Sequence, residues 1–254
     1  MNEDVAKKKP RTPPPPRRVQ APQRVQAPQR RKATSANGTG HPHRTVLYAI
    51  AGVGAAVLVA IVVAVAAFGG GGKGVSEQQL AAAMSAANCT FKTVNAYVPN
   101  NVTHVNSLTK KFPWNTDPPS NGQHYPEWAV WGFYTSPVNP RMVVHNEEHG
   151  GVILWWGSQV SQSTVAQLRS FYQEEPVGSF GTPYPSLGSK IAITAWTGDP
   201  VRYRVNGYYG QGHIAVCPSY TAATKKAFTD FRKRYRGHGP EGIPLSSDAP
   251  GLGP

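Results

Sequence analysis

The chain has 254 residues and a formal net charge of +13 at pH 7, and this length allows one domain with a core of its own. A basic total is typical of nucleic-acid binding, but the excess of Lys and Arg lies mainly in residues 1–44, where only Glu3 and Asp4 are acidic. Because this charge belongs to one Pro-rich tail, nucleic acid is not expected as a partner.

Residues 1–44 are predicted to form a disordered cytoplasmic tail. The run from Pro13 to Pro16 and the low apolar content cannot support a core,. The tail is either a solvated linker or a segment that contacts anionic lipids of the inner leaflet, to which each basic residue contributes up to about 1 kcal/mol.

Residues 45–68 are predicted to form a single transmembrane helix. They contain no charged side chain and are rich in Ala, Val, Leu and Ile. As a helix they would measure about 36 Å, enough for a hydrocarbon core of about 30 Å. The positive-inside rule places the N-terminus in the cytoplasm and the rest outside the plasma membrane. A cleaved signal peptide is the alternative, but the long basic region before the helix favours an uncleaved signal-anchor.

A Gly-rich neck at 69–75 precedes residues 76–237, which predict a single extracytoplasmic α+β domain with a small sheet and about three helices. Residues 112–141, rich in Pro and Gly, predict a long ordered loop, and residues 238–254 a flexible tail. The predicted helices begin after Ser76, Ser161 and Thr221, and the predicted strands are Val152 to Trp156, Ile191 to Trp196 and, at an edge, Val201 to Val205,.

Cys89 and Cys217 are the only cysteines, and both fall in the predicted outer domain. In an oxidising compartment an even count favours one disulfide bond. Two unpaired buried thiols, or a paired thiol metal site, are the alternatives.

Two histidines and two carboxylates stand within the five residues from His145 to His149, between apolar runs. In such surroundings each ionisable group must be solvated, paired or bound. On a helix His145 and His149 would share one face, whereas on an extended strand they would lie about 13 Å apart. Val143-Val144 before the motif and Gly150-Gly151 after it predict a strand interrupted by a turn, so the spacing alone leaves a chelate open.

The motif differs from the zincin signature, which requires Glu directly after the first His, because Asn146 stands there. Two histidines also fall short of the three or four ligands of a zinc site. His124, in a turn-forming loop, is the best additional candidate, and His104 and His213 are weaker ones. Met142 would matter only for copper, because thioethers suit Cu(I).

Two segments, Asp117 to Tyr125 and Val144 to Val152, resemble the bacterial domain-of-unknown-function 3105 family, whose members carry a PPTSGPH-like loop and then VHNLEHGGV. Ala192 to Trp196 resembles the ALTAW-like strand of the same family. The resemblance covers about residues 76–240 and implies a membrane-anchored outer domain in which the two motif segments form one site. The departures are Ser120-Asn121 for Thr-Ser, Gln123 for proline and Glu147 for leucine.

Since Glu147 stands where the family carries leucine, the resemblance favours Glu148 as the carboxylate of the site. It implies no established activity. We therefore expect a transition metal, copper or zinc, bound in two loops by His124, His145, His149 and Glu148.

Three alternatives to metal binding remain open at this stage. The histidines and carboxylates can form a metal-free polar network. The aromatic loop 112–134 can be the surface of a non-enzymatic interaction module with an unknown protein partner. Glu148 can act as the general base of a hydrolase, although no nucleophile motif accompanies it, so whether the protein is an enzyme is left open.

Overall fold

The computed structural model describes residues 74–254. The predicted cytoplasmic tail, the predicted transmembrane helix at 45–68 and nearly all of the neck lie outside the described residues. Across 74–254 the helices are too short or too polar to traverse a bilayer.

The described residues form a five-stranded sheet and four α-helices. The strand order is β1-β5-β4-β2-β3, in which β2 and β3 run parallel and the other neighbours antiparallel. The elements in chain order are α1 (Glu77–Ala86), β1 (Thr90–Asn95), α2 (Pro140–His149), β2 (Val152–Trp156), α3 (Gln162–Glu174), β3 (Ser179–Pro183), β4 (Ile191–Thr197), β5 (Gln211–Cys217) and α4 (Ala222–Tyr235).

Successive strand residues point to opposite sides of the sheet, and each side packs against a core of its own,. Leu154 and its alternate neighbours join the core formed with α1, α3 and α4. Ile153 and Trp155 belong to a second core, which contains Val143 of α2 and Trp131 of the long loop. The α+β prediction is confirmed, with one helix more than expected.

Three helices begin where the sequence predicts them. Ser76 forms a capping box with Gln79, and Ser161 and Thr221 cap α3 and α4 through their side chains,. In α4 the charged side chain of Arg232 is buried. Its guanidinium is 2% exposed, stacks on the Phe171 ring and donates to the Phe171 carbonyl at 2.8 Å.

The additional helix is α2, and it corrects the expectation that the histidine motif lies in a turn-rich loop after a broken strand. Asn139 accepts a hydrogen bond from the Arg141 amide, and Pro140 occupies the first turn, where its missing N–H costs nothing,. Gly150 ends the helix in the left-handed conformation, with φ 112°,. The glycine pair that suggests a turn thus marks the C-terminus of a helix. The helix caps outweigh the strand preference of the β-branched residues Val143 and Val144.

The other differences fall on weakly patterned segments. The expected edge strand at 201–205 is wrong, because this segment is a turn that leads into a short 3₁₀ helix, Val205–Gly207. Strands β3 and β5 were not expected. The C-terminal residues, expected to be a flexible tail, instead pack on the domain: the Trp131 amide donates to the Leu252 carbonyl, the Gly251 amide donates to the Trp131 carbonyl, and Asp248 is fully buried.

The disulfide Cys89–Cys217 is confirmed. It joins the residue before β1 to the last residue of β5, next to the strand pairing of Thr90 with Val216. The bond therefore ties the edge strand to its neighbour and closes a long loop of the unfolded chain.

His213, a weaker ligand candidate, lies in the core and away from the other histidines of the motif segments. Its Nδ1 is 2.9 Å from the Thr93 hydroxyl and its Nε2 is 2.7 Å from the Thr197 hydroxyl, and its ring stacks on Tyr235. Burial, with a smaller effect of the Arg234 charge, lowers the pKa of His213 to about 3. It is therefore a neutral structural residue.

This lowered pKa predicts acid destabilisation that His213→Gln should reduce. Below about pH 6.5 the His213 side chain binds a proton in the unfolded state, but in the folded state it does so only near pH 3,. The free energy of unfolding therefore decreases as the pH is lowered, by up to about 1.4 kcal/mol per pH unit. Denaturant unfolding of the full chain at pH 7 and pH 5 measures this slope. The exposed His238→Gln is the control and should keep the wild-type slope. Equal slopes in the His213→Gln and wild-type proteins would contradict the assignment.

Candidate metal centre

A short backbone pairing places His104 and His124 side by side. The Val105 amide donates to the His124 carbonyl at 2.8 Å, and the His124 amide donates to the Thr103 carbonyl at 2.9 Å. Gln123 supports this pairing, because its amide side chain donates to the Val102 carbonyl at 3.0 Å. The two imidazole centroids are consequently 4.8 Å apart.

Helix α2 supplies the opposite side of the site. His145 and Glu148 stand three residues apart and share one face of the helix,. Asn146 points elsewhere and clamps the aromatic loop, since its side chain both donates to the Ala129 carbonyl, at 2.8 Å, and accepts from the Ala129 amide, at 2.9 Å. The residue that excludes a zincin thus fixes the loop to the helix.

Three imidazoles converge on one carboxylate oxygen, Oε2 of Glu148. The distances from their Nε2 atoms are 3.0 Å for His124, 3.3 Å for His104 and 3.8 Å for His145. The ligand-type atoms of these four residues all lie within 4.8 Å of one another. We call this set, His104, His124, His145 and Glu148, the inner group. His124 and Glu148 are fully buried, whereas the His104 side chain is 35% exposed.

Backbone carbonyls orient two of the three imidazoles. Nδ1 of His124 is 2.8 Å from the Gly122 carbonyl, and Nδ1 of His145 is 3.1 Å from the Tyr125 carbonyl. A carbonyl only accepts, so each Nδ1 carries the proton and, in a neutral ring, Nε2 presents a lone pair to the site. Within residues 74–254, Nε2 of His124 has no hydrogen-bond partner, since its approach to Glu148 lacks hydrogen-bond alignment.

The other oxygen of Glu148, Oε1, is held from outside the motif segments. The Tyr203 hydroxyl donates to it, and Nη2 of Arg204 lies 3.2 Å away. Burial alone would raise the pKa of Glu148, but hydrogen bonds, first with His104 and also with the Tyr203 hydroxyl, hold that pKa well below its usual value. Glu148 is therefore an anion whose Oε2 faces the histidines.

His145 is held in its neutral form. Burial, reinforced by the neighbouring His124, lowers the pKa of His145 to about 3, although Glu148 acts in the opposite direction. A neutral imidazole keeps the lone pair that a metal ion requires.

His149 belongs to a different set of contacts from the inner group. Its Nε2 is 3.7 Å from Oε2 of Glu241, and its Nδ1 is 3.6 Å from Oδ1 of Asp248. The ligand-type atoms of His145, His149 and Glu241 also lie within 4.8 Å of one another. We call the set His149, Glu241 and Asp248 the outer group. Three of the four expected ligands therefore lie together in the inner group, and its third histidine is His104 instead of the expected His149.

The outer group exists because the C-terminal segment crosses the end of α2 at backbone distance. The Gly237 amide donates to the Gly150 carbonyl at 2.8 Å. A Cβ on Gly239 would lie 2.3 Å from the Gly150 amide nitrogen, so only glycine fits this crossing,. The segment carries Glu241 and Asp248 to His149.

Four of the residues around these groups escaped the sequence reasoning: Tyr203, Arg204, Glu241 and Asp248. Tyr203 and Arg204 stand in a polar segment whose sequence is typical of a solvated hairpin. Glu241 and Asp248 are isolated acids among Gly and Pro. No local spacing links any of them to the histidine motif, so no signal in the single sequence could have found them.

Glu147 points to the sheet instead of the histidines. It is fully buried, its Oε1 accepts a hydrogen bond from the Thr194 hydroxyl, and within residues 74–254 its Oε2 has no hydrogen-bond partner. Thr194 also accepts from the Trp155 indole at 2.7 Å. Burial raises the pKa of Glu147 well above its usual value, and the hydrogen bond from Thr194 offsets this only in part. Glu147 is therefore a neutral acid outside the site.

Fold and site together define a class: an α+β domain in which a buried helix, a paired loop and a distant turn assemble a histidine–carboxylate group. The chain matches the family described as Protein of unknown function (DUF3105) over residues 104–243. Because this match spans more than half of the chain, the chain belongs to that family. It contains the whole inner group and Glu241, whereas Asp248 lies beyond it. No curated protein and no solved structure matches the chain.

Replacing Glu147 by leucine should stabilise the protein. Glu147→Leu removes a buried oxygen without a partner, and we expect the free energy of unfolding at pH 7 to rise by about 1–3 kcal/mol. Because the folded-state pKa is raised, wild-type stability should fall as the pH rises from about 4.5 towards neutrality,. Glu147→Gln keeps the acceptor for Thr194 and should abolish this fall.

Denaturant unfolding of the full chain at pH 5, pH 7 and pH 8 measures both effects. Glu127→Gln, at an exposed position, is the control and should leave stability within about 0.5 kcal/mol. A Glu147→Leu protein less stable than the wild type at pH 7 would show that the carboxyl group stabilises the fold.

Proposed function

We propose that this protein binds one divalent transition-metal ion in the inner group, with zinc as the first candidate. The observation that carries the proposal is the convergence of histidine lone pairs on a buried anion. Nδ1 of His124 donates to the Gly122 carbonyl, so in the neutral ring the lone pair of Nε2 faces a carboxylate oxygen at 3.0 Å. Two acceptors at that distance repel each other, and a bound cation turns the repulsion into two attractions.

The dimensions of the inner group fit such an ion. At a metal–ligand distance of about 2.0–2.1 Å, neighbouring ligands of a tetrahedral zinc ion lie about 3.3–3.4 Å apart. The three distances from the imidazole Nε2 atoms to Glu148 Oε2, from 3.0 to 3.8 Å, bracket this value. Metal-ligating histidines commonly donate their other nitrogen to a carbonyl, as His124 and His145 do here,.

The donor atoms favour zinc or copper(II) over copper(I). Imidazole and carboxylate suit divalent ions, whereas copper(I) prefers sulfur. Both cysteines are in the disulfide. Met142 packs beside Trp131 and Val143 in the second core, so its thioether does not complete the group.

The surroundings of Glu148 favour a ligand over a general base. Tyr203 and Arg204 occupy its Oε1, and its Oε2 faces the imidazoles. The hydrolase hypothesis therefore has less support than metal binding. The interaction-module hypothesis also has less support, because Trp131 is 1% exposed and Trp128 lies against His149 and His145.

We also propose that residues 74–254 lie outside the plasma membrane, anchored by residues 45–68. Two observations support this location: the uncharged apolar run preceded by a basic segment, and a disulfide bond, which persists in oxidising compartments,.

Metal analysis of the purified full chain tests the site. After reconstitution with zinc and gel filtration, the wild type should retain about one ion per chain, and His124→Ala and His145→Ala should retain almost none. Zinc at a hundredfold excess over its Kd should stabilise the wild type by about 2.7 kcal/mol. His238→Ala, an exposed histidine outside both groups, is the matched control and should retain the wild-type amount.

Wild-type protein that retains no zinc and no copper would favour a metal-free polar network in which His124 is protonated and paired with Glu148. Retention that His124→Ala and His145→Ala leave unchanged would place the ion elsewhere.

Protease treatment tests the location. Added outside cells whose outer layers have been removed, a protease should degrade residues 74–254 and spare the N-terminal 44 residues. Permeabilised cells, in which both regions should be degraded, are the control. Protection of the domain in cells without outer layers, together with its degradation after permeabilisation, would contradict the predicted orientation.

A further inference from the structure

His149 is oriented in the way of a metal ligand, although it does not face the inner group. Its Nδ1 points to Oδ1 of Asp248 at 3.6 Å, and its Nε2 to Oε2 of Glu241 at 3.7 Å. A carboxylate behind one nitrogen keeps the proton there and leaves the other nitrogen with its lone pair, as in carboxylate–histidine–zinc arrangements.

The Asp248 carboxylate is buried without a hydrogen-bond partner among residues 74–254. An isolated buried carboxylate is costly unless it serves a neighbouring group. Oδ1 of Asp248 lies 3.6 Å from Nδ1 of His149.

His145 connects the two groups. Its ligand atom lies within 4.8 Å of those of His149 and Glu241 as well as those of the inner group. Its Nδ1 is committed to the Tyr125 carbonyl, so only Nε2 is available. One nitrogen can bind one ion at a time, and an ion held by His149 and Glu241 must therefore compete for His145 with an ion in the inner group.

Arg204 bridges the two carboxylates. Its Nη2 is 3.2 Å from Oε1 of Glu148 and 3.1 Å from Oε1 of Glu241. Each carboxylate thus gives one oxygen to Arg204 and turns the other to its own histidines. The oxygen of each carboxylate that Arg204 binds is therefore not the one that faces a histidine.

We infer that His149 and Glu241, with Asp248 behind His149, form a second position for a divalent transition-metal ion, coupled to the first because both use His145. This inference rests on the proposed function of the inner group. The second position has two ligands of its own and a Glu241 side chain that is 24% exposed, so it binds more weakly than the first,. The shared ligand lets an ion pass between the positions by exchange at His145.

Cobalt(II) titration of the full chain, followed by visible absorbance and equilibrium dialysis, tests the inference. The wild type should show a tight phase and a weaker second phase. His149→Gln and Glu241→Gln should remove the second phase and keep the first. The matched controls His238→Gln and Glu127→Gln alter exposed residues outside both groups and should keep both phases.

The shared ligand predicts a result that an adventitious surface site would not give. When His124→Ala disables the inner group, His145 becomes available, and the second position should bind cobalt about fivefold more tightly or better than in the wild type. His104→Ala, at a partly exposed position, provides the same test if His124→Ala fails to fold.

The possible failures are distinguishable. A wild type with the weak phase alone overturns the proposed function, one with the tight phase alone overturns this inference, and one with neither overturns both. A second phase that survives His149→Gln and Glu241→Gln is adventitious. An affinity of the second position that is unchanged in both inner-group variants shows that His145 is not shared.

Discussion

The arrangement of the site depends on the placement of the Glu148 carboxylate in the interior of the domain. A buried charge is tolerated only when partners surround it, and here they come from separate parts of the chain. His104 and His124 approach one oxygen, Tyr203 and Arg204 the other. Three separate segments pack around this one group: the backbone pairing at His104, the turn at Arg204 and the C-terminal segment, whose Glu241 also contacts Arg204.

Helix α2 makes this placement possible by distributing polar residues among different surroundings. Successive residues of a helix point about 100° apart, so the consecutive residues of the motif do not share one environment. Asn146 binds the aromatic loop, Glu147 the Thr194 hydroxyl on the sheet, and Glu148 the imidazoles. His149 faces the C-terminal segment. Five polar residues in a row are compatible with burial because the helix divides them among the aromatic loop, the sheet, the inner group and the C-terminal segment.

The parts of the fold that could be predicted are those with strong local signals. The helices after Ser76, Ser161 and Thr221 carry side-chain caps and an apolar face, and the strand at Val152 is continuously apolar. Strand β5 was missed because Gly212 and His213 interrupt its apolar pattern, although both residues are buried in the sheet. Helix α2 was missed because its β-branched start favours a strand, and only the caps and the surrounding core decide for a helix.

The sequence by itself determined the α+β class, the disulfide partners and, through the family motif, three members of the inner group. These features depend on residue type, residue count and short-range spacing. Only the tertiary structure decided that His104 joins the inner group and that His149 leaves it for Glu241 and Asp248. The physical reason is that the direction of a side chain is set by the helix or pairing that carries its backbone. The partner it meets is set by packing between segments that are distant in the chain, which local spacing does not encode.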